Sequence, residues 1–354
     1  MDCRHQAMKL AARDSRERQK HKYLQNKQGW QKLFYRVSCL TLTGLSAGSF
    51  SLAQQVRAAP ESLTQKKTGK VSSPPNKSLR QKRRVISLAP SNTELLCELG
   101  AGDELVGVCT FCDYPDVQTL SRVGTFVSAN LERLARLKPD LIVLVSGQER
   151  LKSMLEHNNF HCVVLPNNHL SDITNNINSL GQLTGKESEA QRLSLQFASA
   201  LSDFKALVKK ANSRPKVFYC VWPQPLITVG KESFLDEIIT TCGGINAAGE
   251  LSAAYPHFSQ EKLLLADPDI LIMPYEARNQ KFLTTAPWAK LRAVKEKRVF
   301  FLPAPKDDLL ARPTTRILGG LTWLSKKLHP ELSKELSDWQ AGNASKKQDS
   351  IILH

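Results

Sequence analysis

One unit occurs twice in this chain, and it constrains the fold more than any other feature. The run Asn130-Leu131-Glu132-Arg133-Leu134-Ala135-Arg136-Leu137-Lys138-Pro139-Asp140-Leu141-Ile142 returns 129 positions later as Ser259-Gln260-Glu261-Lys262-Leu263-Leu264-Leu265-Ala266-Asp267-Pro268-Asp269-Ile270-Leu271. Both copies open on a helix-capping residue and carry a Glu two positions on. Each then runs one short helix into Pro-Asp and a β-rich segment. A helix-to-strand unit this specific, present twice, predicts two similar α/β lobes.

The surrounding pattern agrees. Val85–Ala89, Leu141–Val145, Val163–Leu165, Val217–Val221, Ile270–Met273 and Val299–Leu302 are near-continuous apolar runs separated by helical segments. Runs of that kind predict mostly parallel sheets covered on both faces. Between the two sets lies Glu187–Lys210, without Gly or Pro, with Leu193, Phe197, Leu201, Phe204 and Val208 at helical spacing. It reads as a stiff helix of about 35 Å joining the lobes, the plainer alternative being a surface helix within one of them.

The charge of the chain needs to be located before it is interpreted. Of the net +16, residues 1–53 carry +7 and 54–84 carry +8, leaving 30 basic and 29 acidic residues over 85–354. A nearly neutral folded part gives no basic face for nucleic acid. The basic start ends at Arg36; the uncharged run 37–53 then closes on Ser51-Leu52-Ala53, so a signal peptide over 1–53, cleaved after Ala53, is expected. An uncleaved membrane anchor is the alternative. Residues 54–84, with Lys66, Lys67, Lys70 and Gln81-Lys82-Arg83-Arg84, lack apolar periodicity and read as a basic, disordered spacer. The boundaries that follow are an N-terminal lobe at 85–186, a linking helix at 187–211, a C-terminal lobe at 212–330, and a helix end and tail at 331–354.

Cleavage would leave Cys97, Cys109, Cys112, Cys162, Cys220 and Cys242 in an oxidising compartment, where spacing alone cannot choose among pairings. Cys109-Thr110-Phe111-Cys112 is a lone CxxC. It has no second copy for zinc, and Asp113-Tyr114-Pro115 after it is loop chemistry rather than the helix of a thioredoxin-like site. His157, His161 and His169 could suggest a metal, but Asn158-Asn159 should end a helix between the first two, so no metal site is expected. The chain shows no GxGxxG, P-loop, GxSxG or HExxH, and no catalytic residues are assigned.

Five segments in order, VISLAPSNTELLCELGAGDELVGV at 85–108, CDYP at 112–115, NLERLARLKPDLIV at 130–143, GKESFLDEIITTCGG at 230–244 and the 259–271 copy, resemble one family. It is the helical-backbone substrate-binding proteins of ABC importers for iron complexes and vitamin B12, and the resemblance is strongest to the vitamin B12-binding members. It covers about residues 85–330. The resemblance implies two Rossmann-like lobes joined by one long rigid helix, with the ligand in a cleft between them. It further implies a periplasmic, non-enzymatic protein, monomeric when free. Such a protein has no resident cofactor and passes a corrinoid to the importer's permease in the inner membrane.

By the same resemblance, Glu132 and Glu261 match the acidic pair that docks on permease arginines. For either alone, the helix dipole is a sufficient explanation; their matched places in the repeat favour docking. Ser91, Asn92, Tyr114, Phe126, Trp222, Tyr255 and Asp308 fall on loops after strand ends and are the expected ligand contacts, aromatic faces for a flat ring with a few polar groups.

Two departures weaken the corrinoid reading. Val145 stands where the vitamin B12-binding members carry an aromatic, and the loop 303–310 has none. Haem or a ferric siderophore, with Arg278, Arg312 and His257 as polar candidates, is therefore the alternative ligand class. A secreted sensor or enzyme on a doubly wound fold is the alternative of another class. Cys242 matches a family half-cystine whose partner position is Ser325 here, with Cys220 the substitute partner.

Overall fold

In the computed structural model of the chain, residues 82–352 are described, apart from 280 and 304–307. The expected signal peptide and nearly all of the spacer lie outside the described residues. The N-terminal half runs β1 (Val85–Ser87), α1 (Pro90–Glu98), β2 (Leu105–Cys109), β3 (Ser121–Gly124), α2 (Leu131–Leu137), β4 (Leu141–Val145), α3 (Glu149–His157), β5 (Cys162–Leu165) and α4 (Leu170–Thr184). After α5 (Glu187–Val208) come β6 (Lys216–Pro223), β7 (Leu226–Thr228), α6 (Phe234–Thr241), β8 (Ile245–Asn246), α7 (Gln260–Ala266), β9 (Ile270–Met273), α8 (Arg292–Lys295) and β10 (Val299–Phe301). The chain finishes on α9 (Asp308–Ala311), α10 (Ile317–Leu328) and α11 (Ser333–Ile352).

The two sheets correspond strand for strand around their centres. The first is ordered β3-β2-β1-β4-β5 and is parallel throughout. In the second, β6 takes the place of β1, β9 that of β4 and β10 that of β5, all parallel, while β8 joins β6 as a short parallel partner. Every residue of β4 and of β9 is buried, as strands covered on both faces must be. The second sheet adds one element that the first lacks. At Pro223-Gln224-Pro225 the chain turns back, and β7 pairs antiparallel with the end of β6.

The repeat explains how each lobe is pinned. Asn130 Oδ1 accepts from the Arg133 amide, and Ser259 Oγ accepts from the Lys262 amide, so both helices are capped in the same way. Both helices also end on a left-handed residue, Lys138 at φ 43° and Asp267 at φ 35°. Asp140 then accepts the Arg84 amide at 2.8 Å and returns its own amide to the Arg84 carbonyl, while Asp269 does the same with Lys216 at 2.7 Å. The Asp of each Pro-Asp thus closes a reciprocal pair with the residue that opens the central strand. The placement of Arg84 in the spacer is accordingly corrected, because its guanidinium also donates to the Leu137 carbonyl at 2.8 Å and it belongs to the fold.

Helix α5 has 22 residues, about 33 Å at 1.5 Å each. Leu193, Phe197, Phe204 and Val208 of the predicted face are buried. It packs on α4 so closely that a Cβ on Gly181 would come within 2.3 Å of the Ala190 Cβ. At its other end the Phe204 ring meets Trp339 of α11 at 5.3 Å. The helix therefore lies against both the N-terminal lobe and the chain's final helix. Among the described residues, no helix is long and apolar enough to cross a membrane.

Candidate ligand cleft and docking corners

The predicted ligand residues of the first lobe converge on the C-terminal ends of β1, β2 and β4. Pro90 occupies the first turn of α1, where its missing amide costs nothing. It is followed by Ser91 and Asn92, both buried. Asn92 donates to the Leu144 carbonyl at 2.9 Å, fixing α1 to the end of β4, and its Oδ1 is buried without a hydrogen bond. Gln148, which sequence reasoning missed, is the knot of this edge. Its Nε2 donates to the carbonyls of Phe126 (2.7 Å) and Leu88 (3.2 Å), and its Oε1 accepts from the Val145 amide (2.9 Å). One buried amide thereby positions the Phe126 loop over two strand ends. Phe126 and Tyr114 are half-buried. Burial raises the phenol of Tyr114 above its ordinary range, with Glu98 adding to the shift. Val145 itself is buried.

On the second lobe, two predicted residues flank β7, one on each side. Trp222 pairs with Ile227 across the hairpin, and Ile227 bridges to His257 on its other side. The amide of Thr228 donates to Pro256, and that of Gly230 to Ala254. Tyr255 therefore runs along β7, one strand away from Trp222. Its phenol is pushed up to about 12 by burial and remains protonated at any ordinary pH. Asp308 opens α9; its side chain lies outside what the structure describes, as does Asp307.

The lobes meet in a charged contact that the repeat did not predict. Glu94 of α1, only 1% exposed, accepts from Arg312 Nη1 at 2.6 Å and also from the Arg316 guanidinium. Arg312 reaches Asp113 as well, at 2.6 Å, and Thr315 donates to Glu98 at 2.6 Å. A carboxylate that deep requires compensating charge, and both arginines come from the other lobe. Arg312, the siderophore candidate, is thus bound to the first lobe next to Tyr114. Arg278 sits over the Tyr275 ring at 3.3 Å, an exposed cation–π contact. A further contact joins the two lobes: Glu237 of α6 accepts from the Leu170 amide at 2.8 Å, with His169 Nδ1 at 3.5 Å.

Glu132 and Glu261 stand in the first turns of α2 and α7, both exposed. The carboxyl of Glu261 is held below the usual range by its own backbone amide and by Ser259. A shallow cavity of about 400 Å³ lies on the outer edge of the first lobe, lined by Thr110, Arg122, Thr125, Asn130 and Arg133. None of the predicted ligand residues lines it.

The remaining metal and cysteine expectations also meet the structure here. Asn159, at φ 61°, ends the helix between His157 and His161, and among the described residues no three His, Cys, Asp or Glu side chains form a metal cluster. Cys242 Sγ donates to the Leu321 carbonyl at 3.5 Å, whereas Cys220 packs in a separate apolar cluster. The Cys220–Cys242 pairing is therefore replaced by two separate buried thiols.

Residues 85–305 match the family described as periplasmic binding protein. The vitamin B12-binding protein of Vibrio campbellii is 31% identical over 249 residues, covering 68% of this chain and 87% of that protein. The crystal structure of the periplasmic vitamin B12 binding protein BtuF of Vibrio cholerae superposes with a TM-score of 0.63 at 30% identity, over 70% of this chain and 96% of that one. The haem-binding protein RhuT of Roseiflexus sp. RS-1 superposes with a TM-score of 0.61 at 22% identity, over 70% and 98% of the two chains, a likeness of fold alone.

Proposed function

As the chain belongs to the periplasmic binding protein family, the substrate-binding components of ABC importers, we propose that it captures cobalamin or a related corrinoid between its lobes and hands it to an inner-membrane permease. The observation that carries this reading is identity of 30–31% to vitamin B12-binding proteins over about 70% of the chain. The strand-end residues are consistent with it: Tyr114 and Phe126 on one lobe and Trp222 and Tyr255 on the other are aromatic, Ser91 and Asn92 are polar, and Asp308 is proposed from its place in the sequence alone.

Mechanistically, the strand-end loops receive the ligand and α5 limits how far the lobes swing, because it packs along α4 at one end and against α11 at the other. Glu132 and Glu261 then engage basic residues of the permease, and the lobes part. The corrinoid is cargo; no resident cofactor takes part and no bond is made or broken. Export places the protein in the periplasm, with the signal peptide removed after Ala53, as a monomer until it docks.

Titration of the purified protein with cyanocobalamin, followed by tryptophan quenching and by coelution of the visible chromophore, tests the ligand. Saturable one-to-one binding is expected, with haem and a ferric siderophore failing to compete. Binding of haem or the siderophore alone would move the ligand class and show that Val145 had been the better guide.

A further inference from the structure

The turn that delivers Tyr114 to the cleft contains two thiols whose geometry has no part in ligand capture. Cys109 ends β2, and the Cys112 amide donates back to the Cys109 carbonyl at 3.2 Å, so residues 109–112 form a hydrogen-bonded β-turn. A turn of that kind keeps its first and last Cα atoms within about 7 Å, which overlaps the separation a disulfide spans. The side chains are aimed at one another, with the two Sγ atoms 3.2 Å apart. Three further contacts hold the turn from outside. Arg122 Nη1 donates to the carbonyls of Cys112 (2.7 Å) and Cys109 (3.4 Å), Thr110 donates its amide and hydroxyl to the Gly124 carbonyl, and Thr93 Oγ1 lies 3.1 Å from Cys112 Sγ.

We propose that Cys109 and Cys112 are a disulfide site, and that the exported chain carries a bond across Thr110-Phe111 which locks the segment presenting Asp113 and Tyr114. The inference rests on export to an oxidising compartment, as the family reading gives it. In the folded chain the two thiols also differ in character. Burial opposes ionisation at Cys112, but hydrogen bonds from Cys109 and Thr93 and the Arg122 charge outweigh it and bring the thiol below its ordinary value; Cys109 is raised by its hydrogen bond to Cys112 and by burial. Among the described residues, no hydrogen bond joins any other pair of thiols. Cys97, Cys162, Cys220 and Cys242 are all raised by burial, Cys97 to about 12.

The chemistry balances through a disulfide-bearing oxidant, a thiol–disulfide oxidoreductase in the cell or oxidised glutathione in the tube. One protein thiolate attacks the oxidant's disulfide, forming a mixed disulfide and releasing one oxidant thiolate. The second protein thiolate then displaces the other oxidant sulfur. Two electrons pass to the oxidant, and the two thiol protons end on its reduced thiols. Because both sulfurs are buried in the folded chain (0% and 2% exposed), the exchange belongs to folding, and the finished bond is shielded from reductants. Its consequence reaches the cleft, since the residue after Cys112 is Asp113, which holds Arg312 of the other lobe.

The test refolds the purified full-length chain from denaturant in oxidised/reduced glutathione buffers, so that its outcome does not depend on where the cell sends the protein or on which ligand it binds. Denaturing alkylation and peptide mapping should find six of the eight cysteines alkylated and a 109–112 peptide 2 Da lighter than its dithiol form. The disulfide-bonded protein should melt about 5 °C above the same protein refolded in reductant. In C109S/C112S that difference should vanish, which packing by two free thiols would not produce. Eight alkylated cysteines under oxidising conditions, or a bridge involving any of the other six, would overturn the proposal.

Discussion

The two corners that carry Glu132 and Glu261 are copies of one unit, and the places where they differ teach as much as those where they agree. Helices α2 and α7 share a side-chain cap, an exposed Glu in the first turn, a left-handed last residue and an Asp that pins the central strand. Four residues beyond each Glu the copies part. Position 136 is an Arg, while position 265 is a Leu that is 86% exposed. The C-terminal corner is also braced by Arg292, which reaches Asp269 at 2.5 Å and whose amide donates to Asp267 at 2.9 Å. The N-terminal corner is braced by Arg84 and Arg133, which donate to the Leu137 and Arg122 carbonyls. The supporting shell has diverged around an unchanged carboxylate. The internal architecture does not require that carboxylate, so its persistence at both corners fits a role at the surface.

The largest effect should come from breaking the shared feature. In the double variant E132K/E261K, importer-dependent uptake of the ligand should fall at least 100-fold while affinity for the ligand stays within about twofold, because opposite charges become like charges on docking. Uptake at the native rate would assign both residues to helix capping alone. Next in size is loss of the strand pins, measured by thermal melting. D140A should cost about 1–2 kcal/mol, and D269A somewhat more, since it also frees Arg292. Equal losses would mean that the Arg292 brace contributes nothing. Removal of the caps, N130A or S259A, should cost about 1 kcal/mol each in denaturant titrations, and similarly in the two lobes. The smallest stability effect is expected from L265R, which gives the C-terminal corner the charge of its counterpart. Melting should change by less than 1 °C, an exposed side chain having little packing to lose.

A further asymmetry is confined to the C-terminal region. His329, fully buried, bonds the Cys242 carbonyl at 3.0 Å, and burial lowers its pKa below 6.5. The unfolded chain therefore takes up this proton at higher pH than the folded one, and stability should fall as pH drops from 6.5 toward the folded value. H329Q should flatten that part of a stability–pH curve; an unchanged slope would place the dependence elsewhere. Gly243 beside it sits at φ 81° with no room for a Cβ, which would meet His329 Nε2 at 2.6 Å.

Much of this was legible in the chain itself. The repeat foretold two lobes because a capped helix followed by Pro-Asp and an apolar strand is a local pattern. The buried face of α5 was legible because 3.6-residue periodicity is local too. What escaped depended on long-range pairing. The Glu94–Arg312 contact joins residues 218 apart, and no periodicity announces it. Gln148 reads as an ordinary polar residue until three strand ends are assembled around it. The β7 hairpin was hidden because Pro223 and Pro225 read as a loop, although the turn they make sets β7 between Trp222 and the segment of Tyr255. Arg84 looked like the last of a basic run, and only the position of Asp140 shows that the fold begins with it.

Hydrogen–deuterium exchange of the protein with and without saturating cyanocobalamin tests the central claim, capture between the lobes, most directly. Protection should appear together in the segments around Ser91, Tyr114 and Phe126 on one lobe and Trp222 and Tyr255 on the other, with helices α2 and α7 unchanged. Protection confined to one lobe, or none at these segments while ligand is bound, would contradict it.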